Sequence, residues 1–178
     1  FYSASGKAKF VAITPRPPQY APSVDYPFTL NTGRLRDQWH TMTRTALAAK
    51  LNAHCPEPLV EINPHDAIVL GLRQGDLAQI ESRWGTMLAR VDMTDAQQQG
   101  CLFLPMHWTN QYSNRGRVGV VVNSAIDPTS GQPESKQTPV KIRLFPTQWQ
   151  AMILSRQSLV LPSCDYWVKS RGDHYWHY

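Results

Sequence analysis

A mainly β protein with short helices, closed into a barrel, is the fold class this sequence predicts, and three observations predict it. Apolar or alternating runs of strand length recur along the chain, turn residues separate them, and few segments carry a helical period. Composition permits such a fold. With 178 residues the chain suits one domain with an arm at each end, and 42% hydrophobic residues are enough for a core.

The elements follow in order. Residues 1–25 hold one short apolar run, Phe10–Ile13, and then Pro15, Pro17, Pro18 and Pro22. This reads as a strand or extended arm followed by a stiff linker. Phe28–Asn31 is a strand candidate. From Asp37 to Asn52 the alanines, leucine and lysine favour a helix or helical turns. A short helix is predicted after Asn63: Asn63 caps it, Pro64 fits its first position, and Asp66 sits well in the first turn. Ala67, Ile68 and Leu70 form its expected buried side, and Gly71 ends it. Gly75 and Asp76 turn into Leu77–Ser82, which alternates as a strand does. Trp84 and Gly85 then turn into Thr86–Met93, completing a hairpin. Gly100 precedes a strongly apolar strand, Cys101–Met106. Val118–Val122 and Val140–Phe145 are further strand candidates, and the Pro-, Ser-, Thr- and Gly-rich stretch Asp127–Pro139 between them is a loop. Thr147–Val160 has the residues for a helix carrying Trp149, Met152, Ile153 and Leu159. The last stretch, Asp165–Tyr178, is rich in aromatics and fits packing against a neighbouring domain. No internal repeat is visible.

Charge and cysteines narrow the function. The formal charge is +5, from 18 basic and 13 acidic residues, which suits an anionic partner. The basic residues are scattered and no helix-turn-helix, zinc-finger or RNP-like pattern is present, so nucleic acid is not the expected partner. Arg34, Arg36 and Arg44 cluster, which fits a compact polyanion better. No apolar run approaches the roughly 20 residues that cross a bilayer, so no membrane partner is expected. The chain starts at Phe1 without methionine and is expected to be a piece of a longer polypeptide. Cys55, Cys101 and Cys164 lie far apart with no CxxC spacing. That argues against zinc or an iron–sulfur cluster held by this chain alone and favours a reducing compartment. Cys101 reads as a core residue. His174 and His177 are three apart, but no carboxylate or cysteine stands at ligand spacing beside them.

The densest chemistry is Asn31–Arg44. A strand that ends in Thr32-Gly33-Arg34 delivers main-chain amides, a hydroxyl and a guanidinium to one spot, the donors that a phosphate needs. Gly33 allows close approach of the backbone. Trp39 adds a flat apolar face for a ring attached to the phosphates. On local composition two readings stand: a nucleotide-like cofactor site, or an exposed basic turn before a helix.

The run Thr32–Arg44 (TGRLRDQWHTMTR) resembles a motif of the C-terminal molybdopterin-dinucleotide-binding domain of molybdenum oxidoreductases of the DMSO reductase family. It is most similar to that of assimilatory nitrate reductases. Further blocks match in the same order: Val60–Ala67, Gly71–Asp76, Glu81–Gly85, Phe103–Trp108 and Asp127–Lys136. The resemblance spans about Tyr26 to Pro146. It implies a six-stranded double-psi β-barrel over residues 26–146, with an N-terminal arm and Pro-rich linker at 1–25 and an aromatic-rich extension at 147–178.

The resemblance also implies a function. The chain would bind part of molybdopterin guanine dinucleotide in an assimilatory, cytoplasmic nitrate reductase that converts nitrate to nitrite by oxygen-atom transfer. In the intact enzyme two such pterins hold molybdenum. The molybdenum's protein ligand, the iron–sulfur cysteines and the catalytic residues are expected in the remaining domains of the same polypeptide, so the isolated chain should be inactive. Thr32, Gly33, Arg34, Trp39, His40 and Thr41 are the implied cofactor contacts, with Arg36, Thr43 and Arg44 as second choices. For His40 a buried histidine satisfied by backbone is an equal reading. Met106 and His107 are implied to touch the pterin or line its pocket, with Trp108 packing, and Lys136 to reach the cofactor. The sequence departs from periplasmic relatives between Asn110 and Asn123, where an asparagine contact is replaced, with Gly119 falling at its place and Asn114 and Asn123 as weak substitutes. The same domain of a formate dehydrogenase or another molybdopterin oxidoreductase, and a stand-alone double-psi-barrel binding module, are the alternatives.

Overall fold

The computed structural model describes residues 1–10 and 12–178. Six strands form a closed barrel: β1 (Phe28–Gly33), β2 (Leu59–Ile62), β3 (Leu77–Glu81), β4 (Thr86–Met93), β5 (Cys101–Pro105) and β6 (Thr138–Leu144). Their order around it is β1-β5-β2-β4-β3-β6. The pairs β1–β5 and β2–β4 are parallel and the rest antiparallel. This is the six-stranded double-psi barrel. Alternate residues point inward. Leu30, Val60, Ile62, Ile80, Leu102, Leu104, Val140 and Ile142 fill the interior together with Met87, Ala89 and Val91.

Pairing explains where the chain's polar loops meet. β1 and β5 run in the same direction with Gly33 opposite Pro105, so Arg34 and Met106 leave the barrel at one mouth. β6 runs against β1 with Thr138 opposite Leu30, so the loop preceding β6 reaches that same mouth with Lys136.

The predicted helix after Asn63 is α2 (Pro64–Val69), a short α1 (Ala49–Asn52) having come before it. The Asn63 side chain accepts the His65 amide at 3.0 Å, and Gly71 ends the turn with φ of 69°. The Asp66 carboxylate accepts the Gly100 amide at 2.7 Å, tying the helix to the start of β5. Only Ala67 of its expected buried face is buried. Ile68 is 69% exposed and Leu70 39%, because a helix this short turns one side chain onto the barrel.

Other expectations meet the structure differently. Val118–Val122 is no strand but a 3-10 turn over Val118–Val120. Every edge of the barrel is already paired, and a spacing of three puts Val118 and Val121 on one buried side. That turn lies against the β3–β4 hairpin, where a Cβ on Gly85 would stand 2.5 Å from the Val120 carbonyl oxygen. The strand Leu59–Ile62, not counted among the strand candidates, takes its place in the barrel. Of the helix or helical turns expected over Asp37–Asn52, the turns form, as a 3-10 turn at Thr45–Leu47 and as α1, and a continuous helix is prevented by His40 and Met42, which hold positive φ of 41° and 60°. Cys101 is partly exposed rather than part of the core.

The helix expected over Thr147–Val160 is also absent. Trp149, Met152 and Val160 find no surface to cover, and packing is what stabilises a short helix. The segment instead pairs with the chain's aromatic end. β7 (Leu154–Ser155), β8 (Ser170–Arg171) and β9 (Trp176–His177) form a small antiparallel sheet in the order β7-β9-β8. The Asn114 side chain docks this extension, accepting the Trp167 amide at 2.8 Å and donating to the Cys164 carbonyl at 3.2 Å.

The strand candidate Phe10–Ile13 includes Val11, which lies outside the described residues; Phe10 and Ile13 are exposed. The arm touches the barrel at Tyr20, edge-on to Trp84 at 5.0 Å between ring centres, and at Gln19, whose amide donates to the Glu134 carboxylate at 3.2 Å.

Candidate functional site

β1 ends at the barrel mouth in Thr32 and Gly33. The Thr32 hydroxyl is buried and donates to the Ser135 carbonyl at 3.1 Å, while the Lys136 ammonium donates to the Thr32 carbonyl. The strand end and the loop before β6 are thereby stitched together. Gly33 leaves room for the Phe103 ring: a Cβ there would stand 2.7 Å from it. The Gly33 carbonyl accepts the Met106 amide at 2.9 Å, which continues the parallel pairing past the strand ends.

Beyond Gly33 the chain makes an irregular loop built on His107. This residue is fully buried, and both ring nitrogens are used. Nε2 accepts the Leu35 amide at 2.8 Å, which requires the proton on Nδ1, and Nδ1 donates to the His40 carbonyl at 2.6 Å. Burial, above all, pushes the His107 pKa down, and the nearby Arg34 charge adds to that. A neutral imidazole is the form that these two bonds need.

The loop so held displays Arg34, Trp39 and His40. The Arg34 guanidinium lies 4.7 Å from the centre of the Trp39 ring, and the His40 ring stands edge-on to that indole at 4.4 Å. Trp39 is 58% exposed, an unusual setting for so large an apolar ring. Among the described residues no hydrogen bond reaches the backbone amides of His40 and Thr41, and neither Arg34 nor Arg44 joins a salt bridge. Free donors, unpaired cations and a flat face therefore share one exposed corner.

The residues expected to form a site divide accordingly. Thr32, Gly33, Arg34, Trp39, His40, Met106, His107 and Lys136 gather at the mouth. His40 is exposed, whereas His107 is the buried histidine satisfied by backbone. Thr41, Thr43 and Arg44 are exposed on the same loop without side-chain partners among the described residues. Arg36 turns away into a two-pronged pair with Asp37, at 3.0 and 2.9 Å, and His54 approaches the same carboxylate at 3.2 Å. Hydrogen bonding from Arg36 holds the Asp37 pKa below its usual range. Trp108 is buried beside Met42, Ala46, Cys55 and Tyr112, as packing requires. Asn123 is buried too: it accepts the Ala125 amide at 2.8 Å and donates to the Glu134 carbonyl at 2.9 Å. Gly119 faces open space.

Sequence reasoning passed over Gln38 and Asn52, two buried amides beneath the loop. Polar residues in a polar run carry no signal of burial. Among the described residues no group of three or more His, Cys, Asp or Glu is placed to hold a metal ion, His174 and His177 included, and no helix is long and apolar enough to cross a membrane.

A family model described as "Molydopterin dinucleotide binding domain" matches residues 28–139, which run from the first residue of β1 into β6. The chain belongs to this family. Nitrate reductase of Klebsiella oxytoca is 45% identical over 162 residues, covering 91% of this chain and 19% of that protein. Nitrate reductase of Shewanella frigidimarina is 36% identical over 163 residues, covering 80% and 17% respectively. The alpha subunit of a formate dehydrogenase of Methanocaldococcus jannaschii is 35% identical over 142 residues, covering 80% and 20%. The chain thus spans about a fifth of the length of these relatives. Acetylene hydratase from Pelobacter acetylenicus has the same fold, with a TM-score of 0.60 at 20% identity over 67% of this chain and 18% of that one. As a member of the molydopterin dinucleotide binding family, the domain has its donor-rich corner within the matched residues, and the matched stretch ends three residues after Lys136.

Proposed function

We propose that this chain is the cofactor-binding region of a molybdenum-dependent nitrate reductase, in which residues 26–146 hold the guanine dinucleotide end of the molybdopterin. One observation carries this reading. An unpaired guanidinium stacks on an exposed indole beside free main-chain amides, at the end of a strand whose last glycine lets the chain pass close to a neighbour. That donor set fits a pyrophosphate carrying a flat base. When bound in the intact enzyme, the molybdenum cofactor supplies the two-electron oxygen-atom transfer that turns nitrate into nitrite.

The chain's own residues bind and orient. Arg34, His40, Thr41 and Lys136 offer hydrogen-bond donors, and Trp39 offers a face. His107 holds the loop rather than the ligand. Thr32 holds Ser135, and Arg36 is engaged by Asp37, so both support the loop. Thr43, Arg44 and Met106 complete the exposed rim. No catalytic group is assigned to this chain. The 45% identity to the Klebsiella oxytoca nitrate reductase, against 35% to the formate dehydrogenase subunit, favours nitrate over formate as the intact enzyme's substrate. Three free cysteines fit a reducing compartment and so a cytoplasmic, assimilatory role. Residues 1–25 act as a linker arm, and 147–178 as an extension against the remaining domains of the polypeptide.

The test is an NMR titration of the chain with GDP, which carries the guanine and both phosphates. Shifts are expected at Gly33, Arg34, Trp39, His40, Thr41 and Lys136. Arg34→Ala should weaken binding about tenfold or more, because it removes a charge-assisted contact, whereas Arg36→Ala should change it less than about twofold. Equal loss in both variants, or shifts spread over the whole basic surface, overturns the reading.

A further inference from the structure

Beneath the loop that carries Trp39 lies a polar network in which every amide hydrogen has a place. Gln38 and Asn52 are both buried, 5% exposed each, at positions where long polar side chains are rare unless fully bonded. Gln38 Nε2 donates to the Leu51 carbonyl and to Asn52 Oδ1, both at 3.2 Å. Asn52 Nδ2 donates to the Ala46 carbonyl at 2.8 Å and to the Arg171 carbonyl at 3.4 Å. The Thr45 hydroxyl donates to Gln38 Oε1 at 2.6 Å and accepts the Trp39 amide at 3.4 Å. The last acceptor of Asn52 belongs to β8, in the C-terminal extension. A chain of bonds thus runs from the extension, through two side-chain amides, to the backbone of Trp39.

We propose that Gln38 and Asn52 are positioning residues that fix Trp39 over Arg34, and that the C-terminal extension braces them through the Arg171 carbonyl. The loop needs such support. His40 and Met42 on either side of Thr41 both hold positive φ, a costly conformation for residues with a Cβ unless neighbours enforce it. His107 anchors the loop at Leu35 and His40, and the amide network anchors the intervening Gln38–Trp39 step from the opposite end. A side chain touching neither the guanidinium nor any ligand would then set where the indole lies. The inference rests on the cofactor reading only for what the placed indole is used for.

The test uses the full 178-residue chain labelled with 5-fluorotryptophan. The Trp39 and Trp84 ¹⁹F signals are assigned by their loss in Trp39→Phe and Trp84→Phe. Trp84, on the β3–β4 hairpin against Tyr20 and outside the amide network, reports on the barrel. Without ligand, Asn52→Ala and Thr45→Val are each expected to move the Trp39 signal toward its unfolded-chain position and leave Trp84 in place. Both should also weaken GDP binding about fivefold, the scale of one lost hydrogen bond. A general loss of structure would move Trp84 as well; should Asn52→Ala do that, the milder Thr45→Val decides. An unmoved Trp39 signal in Thr45→Val overturns the proposal. Failure of the wild-type chain to bind GDP, with Trp39 responding as expected, counts against the cofactor reading alone.

Discussion

His107 is tied to His40 by a hydrogen bond of 2.6 Å from its ring Nδ1 to the His40 carbonyl, across 67 residues of sequence. With Leu35 bound to the other ring nitrogen, the imidazole is a two-sided clamp that works only when neutral. Its pKa in the folded chain is pushed down by burial, below the ordinary histidine value of about 6.5. The unfolded chain therefore takes up the proton first on acidification. Stability from this clamp is fully present above about pH 6.5 and falls as pH drops toward the lowered folded value. Urea unfolding between pH 7.5 and 5 should show that loss, in steps of about 1.4 kcal/mol per pH unit at most for one group. In His107→Asn the histidine part of this slope should vanish while overall stability is lower at pH 7.5.

Gly85 and Gly119 should respond oppositely to alanine. A Cβ on Gly85 would meet the backbone oxygen of Val120 at 2.5 Å, and backbone cannot swing aside as a side chain tip can. Gly85→Ala is expected to cost about 1–3 kcal/mol, as other overpacked sites do. Gly119→Ala meets nothing within 4 Å and should be close to neutral. Thermal unfolding of the two variants side by side measures the difference.

That pair also shows what was legible in the sequence. Turn chemistry was: Asn63, Pro64 and Gly71 announce α2, and Trp84-Gly85 announces the hairpin, because these residues act on their own backbone. Five of the six barrel strands stand out as apolar or alternating runs. Val118–Val122 has a strand's composition and forms a turn because the closed barrel offers it no edge, while Leu59–Ile62 pairs with two strands distant in sequence. Tertiary context decides such cases. At the site, Arg34 and Trp39 were legible as chemistry. The different fates of His40 and His107, one displayed and one buried as a clamp, depend on how residues 67 apart meet, and local composition holds no record of that.

Cys55 should be the slowest cysteine to alkylate. Its thiol is buried, and burial pushes its pKa up to about 12, leaving almost no thiolate at neutral pH. Cys101 and Cys164 are partly exposed. Iodoacetamide at pH 8 followed by mass spectrometry should modify those two first, with Cys55 labelled only as the chain unfolds. Early labelling of Cys55 in an otherwise folded chain would mean that the cluster formed with Met42, Ala46, Trp108 and Tyr112 opens locally.

Asn123 closes the loop that presents Lys136. Its Oδ1 accepts the Ala125 amide at 2.8 Å, and its Nδ2 donates to the Glu134 carbonyl at 2.9 Å and the Gln137 carbonyl at 3.3 Å. Removing the side chain leaves several buried groups without partners, at a cost of about 2–4 kcal/mol. The loss should also be local. The ties that remain, Thr32 to Ser135, Lys136 to Thr32, the Gln19 amide to Glu134 and the Glu134 amide to the Ala125 carbonyl, do not replace its bonds across the loop's base. Amide hydrogen exchange of Asn123→Ala is therefore expected to speed up across Ala125–Thr138 while β1 and β5 keep their protection. Asn123→Asp retains the acceptor for Ala125 and loses both donors, so its exchange should fall between wild type and alanine. Uniformly faster exchange over the whole barrel would show instead that Asn123 supports the fold as a whole and not this loop.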